Sequence, residues 1–89
     1  SLSLAMQLWK ACDEENLEQV EKIIHENEKE IEKGNFDLNF RGLGQKRTAF
    51  FQACSKGNLP IVEFLLNYNF HFGKRRGKVI DLNQANTFG

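Results

Sequence analysis

The sequence predicts an all-α protein made of two tandem helix–turn–helix units joined by projecting, turn-rich fingers, and three observations carry that prediction. Sliding the chain against itself by 42 positions pairs Ala11 with Ala53, Cys12 with Cys54, Asn16 with Asn58, Leu17 with Leu59 and Val20 with Val62, while Ile23 and Ile24 meet Leu65 and Leu66. Within each unit the apolar residues recur at helical spacing. Finally, Asp37-Leu38-Asn39 returns 44 positions later as Asp81-Leu82-Asn83. A self-similarity of that length marks a repeating structural unit.

Each element follows from local chemistry. Leu4, Leu8, Ala11 and Cys12 share one face of a first helix, and the polar run from Asp13 to Asn16 breaks it. Asn16 is the expected N-cap of the next helix, with Gln19 three residues on as a partial capping box. Val20, Ile23, Ile24 and Ile31 then describe a second helix that runs long, supported on its wet side by Glu18 and Lys22 and stopped at Gly34. The stretch DLNFRGLGQ, residues 37–45, has the Asp, Asn and closely spaced glycines of a hairpin-like finger. Residues 49–55 form the first helix of the second unit, and Gly57 sits where a left-handed cap is wanted. Asn58 precedes the last helix, whose first turn tolerates Pro60 because the first amides have no partner within the helix.

The string DLNFRGLGQKRTAFFQACSKGNLPIVEFLL resembles the ankyrin repeat. Asp37, Asn39, Thr48, Ala53, Gly57, Ile61, Val62, Leu65 and Leu66 fall on signature positions, and Cys54 falls on the second small one. Ala49 stands where that pattern has Pro, Phe51 where it has His, and the finger is one residue longer. Ankyrin units recur about every 33 residues. Here the spacing of 42 to 44 leaves extra residues after each second helix, in HENEKEIEKGNF and NFHFGKRRGKVI, as helix extension or as loop.

The resemblance implies an all-α, ankyrin-like solenoid with β-hairpin fingers between repeats. Residues 1–36 would be a capping-like first repeat with an extended second helix, residues 37–80 a second repeat with a basic insertion, and residues 81–89 the start of a third, making the chain the N-terminal piece of a longer array. It also implies a non-catalytic scaffold or adaptor that binds another protein through finger tips and first helices. By position those are Arg41, Lys46 and Arg47 in the finger and Lys10, Gln52 and Lys56 on the helices. Trp9 and Phe51, 42 apart, are expected to line the seam between units, with exposure as a binding anchor the alternative.

Composition narrows the function further. At 89 residues, 40% apolar and 27% charged, the chain is one small globular domain rather than a disordered one. No apolar run approaches the roughly 18 residues of a membrane span. The opening SLSLAMQLW has no basic residue before it, unlike a secretory signal. Two cysteines and no Asn-x-Ser/Thr acceptor point to a reducing intracellular setting, cytoplasmic or nuclear. The net charge of zero hides a dipole: residues 1–36 hold four cations against nine carboxylates, and residues 37–89 hold eight against three. Opposed halves of this kind offer a route to salt-sensitive self-association.

No residue set has the spacing of a catalytic centre, and neither cofactor nor metal is expected. Cys12, Cys54, His25 and His71 lack any zinc-ligand spacing, and both cysteines fall on packed helix positions as buried structural thiols. The stretch from Gly73 to Lys78 imitates a phosphate loop, but only three residues separate its glycines and Val79 follows where a hydroxyl must hold magnesium. Lys74, Arg75, Arg76 and Lys78 nevertheless place four cations in five residues on an expected loop. That gives an alternative function, binding a polyanion such as nucleic acid or anionic lipid, beside the plainer reading of a solvated loop with Phe70 and Phe72 packed beneath it.

Overall fold

In the computed structural model, which describes residues 3–42, 47–76 and 80, the order of elements is α1 (Leu4–Asp13), α2 (Leu17–Glu26), α3 (Glu28–Glu32), α4 (Ala49–Lys56) and α5 (Leu59–Arg76). Each helix of the two pairs begins the same way, with a short polar side chain accepting from the amide three residues on. Ser3 Oγ accepts from Met6 at 3.2 Å, Asn16 Oδ1 from Gln19 at 3.1 Å, Thr48 Oγ1 from Phe51 at 3.1 Å and Asn58 Oδ1 from Ile61 at 3.2 Å. Each cap satisfies an amide the helix leaves open and contributes about 1 kcal/mol.

Three helix ends close alike, and they expose the repeat in backbone form. After α1, Asn16 N–H donates to Ala11 O and Glu15 N–H to Cys12 O; after α4, Asn58 donates to Ala53 O and Gly57 to Cys54 O; after α3, Asn35 donates to Glu30 O and Gly34 to Ile31 O. The pivot of each is left-handed: Glu15 at φ 58°, Gly57 at 71° and Gly34 at 80°. A left-handed backbone suits glycine and costs another residue roughly 1–2 kcal/mol. Gly57→Ala should therefore lower the free energy of unfolding by about 1 kcal/mol, whereas Glu15→Gly, at the matching pivot 42 residues earlier, should not lower it. Paired urea titrations measure both.

The two insertions are mainly helical. The first is not the continuous extension expected from the sequence: α2 ends at Glu26, and α3 restarts at Glu28. Asn27 makes the break, its Nδ2 donating to Ile23 O at 2.7 Å and its backbone N–H to Ile24 O at 3.2 Å. A side chain that satisfies a carbonyl of the preceding turn competes with the helix ladder, and the helix is interrupted there. The stop at Gly34 holds. In the second insertion α5 continues to Arg76, and the chain has returned by Ile80, whose N–H donates to the buried Asn69 Oδ1 at 2.8 Å. Ile31 and Phe36 from the first insertion and Phe72 and Ile80 from the second join one hydrophobic core. The lengthening of both units thus has a common physical basis, since each insertion gives the other apolar surface to bury.

Helix α1 lies at the centre, packed on α2 within its unit and on α4 of the next. Leu8, Ala11 and Cys12 from α1, Val20, Ile23 and Ile24 from α2, and Phe50, Ala53, Ile61 and Leu65 from the second pair fill the interior. Two pairs of apolar positions that match at 42 residues on the second helices differ in burial. Ile24 is fully buried while Leu66 is 39% exposed, and Leu17 is partly buried while Leu59 is 65% exposed. The first unit is covered by the second; among the described residues nothing covers the corresponding face of the second.

Candidate interaction surface

The base of the finger is built on α1. Arg41 and Thr48 form an isolated antiparallel bridge, and Gly42 N–H donates to Arg47 O at 2.8 Å. The same carbonyl accepts the Trp9 indole N–H at 2.7 Å, so one oxygen ties both the finger's own closure and the first helix. Gly42 lies against the indole face, where an added Cβ would stand 2.6 Å from Trp9 Nε1. Only glycine allows that approach. Trp9 is half-buried and does line the seam, as expected, but its further role in holding the finger is not written in the helical periodicity. A tryptophan facing a glycine-rich turn one repeat later was the available signal.

Around this joint lie most of the residues expected to meet a partner. Arg41 is exposed, and the Arg47 guanidinium sits 5.0 Å from the centroid of the half-buried Phe51 ring, a cation–π contact that orients it. Lys10 is exposed on α1. Lys56 reaches Asp13 at 3.6 Å, with both side chains 39% exposed, a pair worth well under about 1 kcal/mol. Lys46 lies outside the described residues.

Gln52 departs from its expected place on the outward surface. It is only 5% exposed, and its Nε2 donates to Asp13 Oδ1 at 2.7 Å, across the seam between α4 and α1. The hydrogen bond to an ionised carboxylate is of the stronger kind. Gln52 thus joins the units and does not offer its amide to a partner.

Two other expectations change. Lys74, Arg75 and Arg76 were expected on a loop, yet their backbone belongs to the last turn of α5; Lys78 lies outside the described residues. Phe72 is buried, while Phe70 is 60% exposed. Of the two cysteines, Cys12 is buried but Cys54 is exposed, because α4 covers the first and no described element covers the second.

The cysteine difference has a chemical consequence. Burial pushes the Cys12 thiol up to about 12 and also raises that of Cys54. The thiolate is the nucleophile, so iodoacetamide near neutral pH should label Cys54 slowly and leave Cys12 unmodified until the chain unfolds, as mass spectrometry can follow. The unfolded chain gives up the Cys12 proton earlier than the folded one. Stability from this group therefore falls as pH rises from 9.0 towards about 12.

Among the described residues no three of His, Cys, Asp and Glu gather as metal ligands, and no helix is long and apolar enough to cross a membrane. Residues 45–73, running from the finger through most of α5, match the family model described as ankyrin repeat. The resemblance read from the sequence thus stands for that segment. Comparison with curated proteins and with solved structures gave no match.

Proposed function

We propose that the chain is a non-catalytic protein-interaction module in which the finger and the first helices present a cationic edge to another protein. The match of residues 45–73 to the ankyrin repeat carries this reading, because ankyrin repeats typically serve as interaction modules. The geometry supports it: Arg47 and the base of the finger are tied to α1 through one carbonyl, which limits the conformational freedom this base can lose on binding. Arg41, Arg47 and Lys10 are the contact residues, with Lys46 beside Arg47 in the sequence and Lys56 at the end of α4, and the complementary partner surface is acidic. By sequence, residues 81–89 repeat the opening of the unit that begins at Asp37, so a further unit of the same kind is part of this reading.

A charge-reversed finger tests the contact. The chain and its Arg41→Glu/Lys46→Glu/Arg47→Glu variant, immobilised side by side, should retain different proteins from one cell extract. The acidic partners of the unaltered chain should be missing from the variant, and their retention should weaken with added salt. Identical retained sets, with both chains folded by circular dichroism, would contradict this surface.

A further inference from the structure

A separate cleft lies where α2 and α3 meet α5, lined by His25, Glu28, Phe64, Tyr68, His71 and Phe72, with Asn67 at its edge. We propose that it is a docking site for a linear peptide that inserts one aromatic side chain and sets a nearby lysine or arginine against the acidic rim. This inference is independent of the finger and would stand if that surface proved inert.

The floor is aromatic and held in place. His25 meets the Phe64 ring edge-on, with centroids 5.6 Å apart at 79°, and Tyr68 and Phe72 lie 5.8 Å apart at 35°. An inserted ring would find edges and faces already positioned, the arrangements aromatic pairs prefer. The cleft holds about 280 Å³. An apolar cavity of about 150 Å³ accommodates benzene, so one side chain the size of Phe or Tyr fits with its linker.

Charge selects the rest of the occupant. The cleft shares His25 and Glu28 with an adjoining hollow at the α2–α3 break, which adds Glu26, Asn27, Lys29 and Glu30 and holds about 660 Å³. Three carboxylates there face one ammonium group. Glu28 is partly engaged, its Oε1 lying 3.1 Å from His25 Nδ1, while Glu26 is exposed. An apolar slot that opens into an acidic hollow fits an extended segment with an aromatic anchor and a nearby cation, and disfavours an acidic one.

The test is a titration of the isotopically labelled full chain with acetyl-Ser-Phe-Gly-Lys-Arg-Gly-amide, followed amide by amide by NMR. Shifts should concentrate in residues 25–30 and 64–72. Replacing the peptide's Phe by Ala, or its Lys and Arg by Glu, should weaken binding about tenfold or more, and Glu26→Lys in the protein should weaken it at least about threefold. Asn67→Trp, which narrows the mouth without changing charge, should also weaken it. The proposal falls if the parent peptide shifts none of these amides up to about 5 mM, or if the peptide lacking Phe binds equally well, which would reduce the site to a diffuse acidic surface. It falls equally if the same amides shift when the protein alone is concentrated, since a second copy would then be the occupant.

Discussion

Trp9→Ala is expected to destabilise the chain by about 3 kcal/mol, the lower end of the range for removing a large aromatic, because the ring is half-buried. For a domain of this size that corresponds to a fall in Tm of about 12 °C or more. The loss has two parts. Removing the indole leaves a hole between α1 and the finger, and it takes one of two donors from the Arg47 carbonyl. Trp9→Phe separates them, since it keeps most of the packing and should cost only about 1 kcal/mol for the lost hydrogen bond plus a modest volume change. Gly42→Ala attacks the same joint from the other side. Its Cβ would overlap the indole, so the ring must shift, at about 2 kcal/mol. Groups in direct contact do not add independently, so adding Gly42→Ala to Trp9→Ala should cost little more than Trp9→Ala alone. Thermal melts by circular dichroism measure all four, and fully additive effects would mean that the two residues do not share a contact.

The second large effect compares two matched positions. Ile24→Ala should cost about 3 kcal/mol, since the side chain is fully buried between the units, whereas Leu66→Ala, at the equivalent place 42 residues later, should cost less than about 1 kcal/mol. Both substitutions remove three side-chain carbons, and the helix propensities of Ile and Leu relative to Ala differ by only a few tenths of a kcal/mol, so propensity contributes little to the difference. Urea titrations give the two values directly. Equal costs would mean that Leu66 is covered as well as Ile24, by residues beyond those described.

Much of the helical order was legible in the sequence because it rests on local rules. The caps at Asn16 and Asn58, the left-handed pivot at Gly57 and the stop at Gly34 each depend on a few adjacent residues whose chemistry is unambiguous. What was not legible depends on contacts between distant segments. The break at Asn27 turns on a side-chain amide bonding backward to Ile23, a choice that helical periodicity does not register. The exposure of Cys54 and the burial of Gln52 follow from which face of α4 meets α1, and identical repeat positions cannot announce that one copy is covered and the other is not. Lys74, Arg75 and Arg76 were expected on a loop, yet α5 continues through Gly73 to Arg76. On the candidate surface, Arg41, Arg47 and Lys10 fall beside the joint, while for the tryptophan that organises it the sequence offered a place in the seam or a binding anchor, and neither includes the hold on the finger.

The account's central claim is that Trp9 holds the finger of the second unit onto the first helix. The chain has a single tryptophan, so its indole N–H gives one resolved resonance, and hydrogen exchange can follow that proton together with the Gly42 amide. The account predicts that both are strongly slowed, that they open with similar free energies, and that the Gly42 amide loses most of its protection in Trp9→Ala. Exchange of the indole and Gly42 protons at the rate of an unstructured peptide, while the helical amides remain protected, would contradict it.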